Sequence, residues 1–301
     1  MSNHVYGYNI MKFKNRFFGC FFGAIIGDVL GAPFEFMETD QFKFDGTMSS
    51  GGLFNLPKGY YTDDTSMMIA ITQSILNTNS VNEIDQLDHY IQWYRNGKYS
   101  STGKCFDIGF QTRQSLVDYE ELGELPEETD GQGNGCLMRV APVILYAISK
   151  NLQDFNTDIE TSVITTHNNE TCKFLTKSYA HFVRDALLNQ LDFDCINVSL
   201  KNRYENIKDS IDRPDGWIET SYYVALDSFR NTNSFKSCML DVINKGYDTD
   251  TNACIAGMLA GAYYGYDALS EYLDIKDFDI LYNYCNDLYD RVLNNFQVKL
   301  S

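Results

Sequence analysis

Gly19, Gly23, Gly27 and Gly31 recur at every fourth position of an apolar segment. On a helix this spacing lines four glycines along one slowly drifting stripe. Each glycine inside a helix costs about 1 kcal/mol against alanine. A stripe of them therefore points to the close approach of another backbone, the alternative being a loop with a chance repeat. Gly257, Gly261 and Gly265 repeat the device late in the chain. The spacing predicts two helices packed closely together at the centre of the fold.

Each glycine segment lies near an acidic cluster. Thr62-Asp63-Asp64-Thr65 precedes the apolar run Met67–Ile71, and Asp248-Thr249-Asp250-Thr251 precedes the run Ala253–Tyr264. Carboxylates and hydroxyls are oxygen ligands, which suit hard divalent cations. An EF-hand is excluded. Counting from Asp248, its sixth position is Ala253 rather than Gly and its twelfth is Leu259 rather than Glu. The competing explanation is that both clusters cap helix N-termini, where Asp and Thr are favoured. Asp28 and Glu35, beside the first glycine stripe, are candidates for further carboxylates.

The net charge of -17 repels a phosphate backbone and argues against nucleic acid as a general partner. A small phosphate-bearing ligand remains possible. The eight cysteines show no C-x-x-C pair and no zinc spacing. Isolated buried thiols in a reducing compartment are expected, and with them a cytoplasmic location. Lys12, Lys14 and Arg16 before the apolar run Phe17–Ile26 imitate a signal peptide, yet no cleavage site follows. That run of about ten residues falls short of the ~20 needed to cross a bilayer. It is expected to be a buried helix of a soluble, monomeric protein with no membrane partner.

Apolar periodicity predicts helices through most of the chain and no run of alternating strands. Helices are expected near 65–77, from Ile84 to Tyr94, over 106–117, and over 138–149 with Pro142 in the first turn. Others are expected near 158–166, 172–189, 195–208, 220–230, 235–244 and 251–264. A C-terminal helix follows with Leu281, Tyr284, Leu288 and Val292 on one side. Residues 38–61 read as a long loop and 209–219 as a turn. The fold class is all-α, a single compact multi-helix domain over 15–301 after a loose start at 1–14.

Gln132-Gly133-Asn134-Gly135 is a candidate phosphate cradle, because glycines let N–H groups turn toward an anion. A surface turn is the alternative. His167 is a candidate for ligand binding or acid–base work, and a core histidine is the alternative. Asp107 stands in an apolar setting, where a cap or an ion pair is the plain explanation.

Taken together, these segments resemble the ADP-ribosylglycohydrolase family. The resemblance runs from Gly19 through Ala32-Pro33-Phe34-Glu35, Tyr61-Thr62-Asp63-Asp64-Thr65 and Phe106-Asp107-Ile108-Gly109. It continues with Gly133-Asn134-Gly135, Met138-Arg139-Val140-Ala141-Pro142, Thr166-His167 and Gly246 to Thr251. The motifs keep the family's order over residues 16–265. The resemblance implies a cleft with two divalent cations, Mg²⁺ or Mn²⁺. Thr62, Asp63 and Asp64 would ligate from one side, and Asp248, Asp250 and Thr251 from the other. Glu35 would ligate or act as acid–base, with Asp63 and Asp64 also part of the catalytic set. Asp107 would lie at the ribose end, Gly133, Asn134 and Gly135 along the diphosphate with Met138, and His167 on the adenosine side.

Two positions depart from the family pattern. Tyr247 stands where a second Gly is usual, and Phe110 where Asn often follows Asp-Ile-Gly. Both bear on substrate choice more than on metal binding. The resemblance implies hydrolysis of the bond between ADP-ribose and a modified acceptor, expected to be a protein side chain. An ADP-ribose-binding protein without turnover is an alternative, as is a structural role like that of crystallin relatives.

Overall fold

The structure, a computed structural model, describes residues 3–198 and 215–298. Part of the helix expected over 195–208, and most of the turn expected from 209, lie outside the described residues. Among the described residues the chain is helical, with only two isolated β-bridges, Gly51–Leu56 and Gly133–Trp217. One continuous apolar core runs through the molecule, as an all-α single domain requires.

The first helix, Asn3–Gly31, passes through that core and is buried from Phe17 onward. The helix Thr249–Tyr264 lies against it. The glycines set their separation. A Cβ placed on Gly19 would sit 2.2 Å from the Gly261 carbonyl oxygen, and one on Gly23 2.2 Å from that of Gly257. On Gly27 it would lie 2.0 Å from Ala253 O, and on Gly31 2.4 Å from Thr249 O. No real Cβ tolerates such distances. As one partner number rises the other falls in equal steps, so the helices run antiparallel in matched register. The C-terminal end of one thus meets the N-terminal end of the other, and Thr249 Oγ1 donates to Gly31 O at 2.8 Å.

The start of the first helix differs from expectation. It begins at Asn3, well inside the stretch read as a loose start. Nothing in 3–14 is a proline, and Phe13 packs edge-on to Phe17 while Lys14 lies over the Phe18 and Tyr289 rings. The first helix is also apolar over a longer stretch than the run Phe17–Ile26. Ile10–Phe34 is long and apolar enough to cross a bilayer by length and composition, and its most apolar 18-residue stretch is 94% buried inside the fold. Burial, not shortness, makes it a core helix.

The other helices show local stop and start signals. Asp63–Thr78 ends at left-handed Asn79, and Glu83–Asn96 at left-handed Gly97. Asn82, Asn151 and Asn169 each cap the helix that follows through a side-chain oxygen. The helix expected from 106 starts at Phe110, because Asp107 adopts φ +59° and Gly109 is extended. The helix expected over 138–149 is shorter, Ala141–Ala147, with Pro142 in its first turn as expected, and a separate short helix, Gly135–Met138, precedes it; Pro142 has no N–H to join the two.

Candidate metal centre and cleft

The glycine-packed pair delivers two acidic segments to one end of the fold. Glu35 follows the first helix across a short 3-10 turn, Ala32–Phe34. Asp248, Asp250 and Thr251 open the antiparallel partner. Asp28, on the last turns of the first helix, recruits the third element. Its carboxylate accepts from Thr62 N at 3.0 Å, Thr62 Oγ1 at 2.9 Å, Thr65 N at 3.1 Å and Thr65 Oγ1 at 2.6 Å. Asp28 is therefore not a free carboxylate for metal. It caps the Asp63 helix from outside and fixes where Asp63 and Asp64 start.

The two clusters touch. Thr251 Oγ1 donates to Asp64 Oδ2 at 3.3 Å, across 187 residues of chain, and Thr62 Oγ1 reaches the same oxygen at 3.4 Å. The simple capping explanation fails at both, because neither Thr62 nor Asp248 makes a side-chain cap hydrogen bond to its own helix. One oxygen each of Glu35, Asp248 and Asp250 lie within 4.8 Å of one another. Glu35 Oε2 and Asp64 Oδ1 are buried with no hydrogen-bond partner in the described structure.

Six carboxylates therefore meet here: Glu35, Asp63, Asp64, Asp107, Asp248 and Asp250. Among the described residues, no Lys or Arg forms an ion pair with any of them. Burial, then repulsion from Asp107, Asp248 and Asp64, pushes the Glu35 carboxyl up to about 10. Burial, then Asp248, pushes Asp107 up to about 8, while a hydrogen bond with the Glu35 side chain pulls the other way. Asp63, Asp64 and Asp250 are raised well above the usual range, by burial first and by their neighbours second. The N-termini of the Asp63 and Thr249 helices add partial positive charge, but only a fraction of a unit each. An all-oxygen, charge-uncompensated set with orphaned buried oxygens fits divalent cations such as Mg²⁺ or Mn²⁺.

Raised folded-state values sit above the unfolded values near 4, so the metal-free protein is stabilised by bound protons. That stability is fully present at about pH 4 and below and is lost as pH rises through the raised values, near 8 for Asp107 and near 10 for Glu35. A cation prefers the ionised groups and reverses the preference. Millimolar Mg²⁺ or Mn²⁺ should therefore raise the melting temperature more at about pH 8 than at about pH 5.5. An equal rise at both, measured by differential scanning fluorimetry, would refute the uncompensated centre.

Above this floor opens a cleft of about 430 Å³. Glu35, Asp63, Asp107, Asp248 and Thr251 line it, with Gly133, Asn134, Gly135, Met138 and His167 on another wall. Thr62, Asp64 and Asp250 are essentially inaccessible and lie under the floor. All the site residues expected from sequence are thus in or beneath one cleft.

The glycine loop departs from the expected cradle. Gly133 N donates to Gln111 Oε1 at 3.2 Å, and Asn134 N to Gly216 O at 3.0 Å. These N–H groups are already committed and do not face an anion. Gly133 and Gly135 instead make room for His167, whose ring atoms would lie 3.0 and 2.9 Å from a Cβ at those positions. His167 itself is buried and held through Nδ1 by Thr166 Oγ1 at 2.7 Å, and burial with nearby Arg139 keeps it neutral.

Asn134 does something sequence reasoning missed. Its Nδ2 donates to Asp248 Oδ2 at 2.7 Å and to Ser221 Oγ at 2.9 Å. It orients a candidate ligand rather than only lining the wall, and no sequence signal marks Ser221 as its associate or Gln111 as that of Gly133. Asn134→Ala should weaken Mn²⁺ binding roughly tenfold, in keeping with loss of a group that orients a ligand. Calorimetry showing unchanged affinity would remove that role.

Tyr247 has φ +63° and follows Gly246 at φ +78°. Its N donates to Met37 O and its O accepts from Phe36 N, both at 2.7 Å. The backbone here is one that glycine adopts most cheaply, and the tyrosine is held in it by the Glu35 loop.

An all-helical protein with an oxygen-lined acidic centre under a cleft is the class that fold and site define. The chain belongs to the ADP-ribosylglycohydrolase family, whose model matches residues 10–297. It is 30% identical over 268 residues to the ADP-ribosylarginine hydrolase Tri1 of Serratia proteamaculans (strain 568), covering 82% of this chain and 71% of that one. It is 27% identical over 263 residues to the ADP-ribosyl-(dinitrogen reductase) glycohydrolase of Rhodospirillum rubrum, covering 84% and 87%. A solved structure described as an ADP-ribosylglycohydrolase-related protein complex superposes with a TM-score of 0.79 at 27% identity, covering 94% of this chain and 99% of that one. These relatives support hydrolase activity on ADP-ribosylated acceptors.

Proposed function

We propose that the protein is a metal-dependent hydrolase that removes ADP-ribose from a modified protein side chain. The observation that supports it best is the meeting of six uncompensated carboxylates beneath a cleft large enough for a nucleotide sugar. Two divalent cations, held by Thr62, Asp63 and Asp64 on one side and by Asp248, Asp250 and Thr251 on the other, would orient the ribose hydroxyls and make a water more acidic.

The chain's own groups do the rest. Glu35 accepts the proton of the attacking water. It lines the cleft within reach of the candidate ligands Asp248 and Asp250, where bound cations would favour the ionised form that a base needs. Asp107 shares a hydrogen bond with Glu35 and holds it in place. Cleavage passes through an oxocarbenium-like state, which the surrounding carboxylates stabilise. Met138, His167 and the Gly133–Gly135 wall enclose the ADP portion and exclude water from it. The cytoplasm, a single-subunit state and a protein partner rather than nucleic acid complete the reading. Eight thiols outside any disulfide fit a reducing compartment.

The test is release of ADP-ribose from ADP-ribosylated peptides, with and without Mg²⁺ or Mn²⁺. Metal-stimulated release supports the reading. Saturable ADP-ribose binding with no release under any metal would make the protein a binder instead.

A further inference from the structure

Arg139 is fully buried, and among the described residues no carboxylate forms an ion pair with it. A buried cation without a counter-ion is costly to keep. The metal chemistry makes no use of it. Its guanidinium lies over the Tyr90 ring, 4.8 Å from the centroid, and its hydrogens go to neutral acceptors. Nη1 reaches Met67 Sδ at 3.7 Å, and Nη2 donates to Thr165 Oγ1 at 3.1 Å and to Thr166 Oγ1 at 2.7 Å.

A guanidinium has donors and no acceptor. Each threonine hydroxyl therefore receives from Arg139 and sends its own hydrogen elsewhere. Thr165 Oγ1 sends it to Ser162 O at 2.7 Å. Thr166 Oγ1 has one other partner among the described residues, His167 Nδ1 at 2.7 Å. Thr166 is fully buried, so water does not take that hydrogen. Ser115 holds the threonine in place by donating to Thr166 O at 3.0 Å. The Thr166 hydroxyl thus donates to Nδ1, and Nδ1 is an acceptor. Burial and Arg139 keep the ring neutral, which leaves its one hydrogen on Nε2. The other tautomer would aim two N–H groups at one oxygen and strand a buried hydroxyl hydrogen.

Among the described residues no hydrogen bond engages His167 Nε2. Nε2 and Cε1 border the space that Gly133 and Gly135 leave open, 3.0 and 2.9 Å from where a Cβ would stand, and all three residues line the cleft. Neighbouring donors on that wall are spent. Gly133 N is taken by Gln111, Asn134 N by Gly216, and Asn134 Nδ2 by Asp248 and Ser221. The Nε2 hydrogen is one that the wall keeps for a ligand.

We propose that Arg139 and Thr166 are positioning residues that fix the His167 hydrogen on Nε2, so that the ring meets a ligand in the cleft only as a donor. The group it takes is an oxygen or ring nitrogen with a free lone pair, and a bare N–H is refused. The ligand rests on the hydrolase reading above, whereas the tautomer does not.

The test isotopically labels the histidine ring nitrogens of the full chain. There are four histidines, and His167→Gln identifies the signal by its loss. A long-range proton–nitrogen correlation spectrum at neutral pH shows which nitrogen carries the hydrogen. The unaltered protein and Thr166→Ser, which keeps the hydroxyl, should show it on Nε2 alone. Thr166→Val keeps the shape but nothing then holds Nδ1, so both tautomers should appear. Arg139→Met should show both as well, because the freed hydroxyl can accept as readily as donate. The Kd of Thr166→Val for ADP-ribose, by calorimetry with Mg²⁺ present, should rise about fivefold, the size of one net hydrogen bond. Thr166→Ser should bind like the unaltered protein. A hydrogen on Nδ1 in the unaltered protein overturns the lock without any variant having to fold. Thr166→Val with the hydrogen on Nε2 alone overturns it too, and the same result in Arg139→Met removes the role of Arg139. Both tautomers in Thr166→Val with an unchanged Kd overturn the donor role. A fixed Nε2 hydrogen in a protein that neither binds ADP-ribose nor releases it from a modified peptide overturns the hydrolase reading, and leaves the tautomer standing.

Discussion

Glu35→Gln should lower the rate of ADP-ribose release by about a thousandfold, the middle of the range for losing a general base. The amide keeps the shape of the side chain but cannot take a proton from water. Its setting makes the change a clean one. Glu35 is 7% exposed, follows a 3-10 turn rather than a mobile loop, and is anchored by the backbone pairing of Phe36 and Met37 with Tyr247. The amide is neutral, like the protonated carboxyl that burial favours without metal, so the metal-free variant should melt no lower than the unaltered protein. A single-turnover assay of released ADP-ribose, paired with a melting curve, separates chemistry from stability. A variant as active as the unaltered protein would show that Glu35 takes no proton.

Gly23→Val should destabilise the protein by about 3 kcal/mol or more, the upper range for forcing atoms into a filled core. The clash is not with a side chain that could turn aside. The added Cβ would meet the Gly257 carbonyl oxygen at 2.2 Å and Gly257 C at 3.1 Å, both backbone. The helices must separate, and the end that carries Glu35 and Asp250 separates with them. Metal affinity should therefore fall along with stability. Gly109→Ala is the control, since nothing lies within 4 Å of a Cβ there and its φ is ordinary. Chemical denaturation showing Gly23→Val as harmless as Gly109→Ala would refute backbone contact as the fold's organising device.

These two outcomes rest on features of differing legibility. The glycine stripes and the acidic clusters could be read from sequence because each is local: a four-residue period or four adjacent ligands. Their convergence could be anticipated from resemblance, and the structure shows its physical cause, an antiparallel register that ends at Gly31 and Thr249. The parts that escaped are relations between distant residues. Asp28 looked like one more carboxylate, but its four hydrogen bonds to Thr62 and Thr65 exist only once two helices meet. Asn134 looked like part of a phosphate loop, and its grip on Asp248 spans 114 residues. The glycines of that loop suggested free N–H groups, yet Gln111 and Gly216 had already taken those of Gly133 and Asn134. Tyr247 was the odd residue in a familiar motif. Only its φ shows that the backbone kept the glycine conformation while the side chain changed.

The pairing of the first helix with the Thr249 helix also has a consequence in time. Gly31 and Thr249 are 218 residues apart in the chain. At a synthesis rate of about 5–20 residues per second, the partner emerges roughly 10–40 s after the glycine helix has left the ribosome. For that interval the stretch from Phe17 to Ala32, which the finished fold conceals, has no groove to enter. A nascent chain of this protein therefore presents to the cell, early and for many seconds, the same face that a membrane-inserting segment would. The stretch from Phe17 onward that the finished molecule buries is laid open for many seconds during its making.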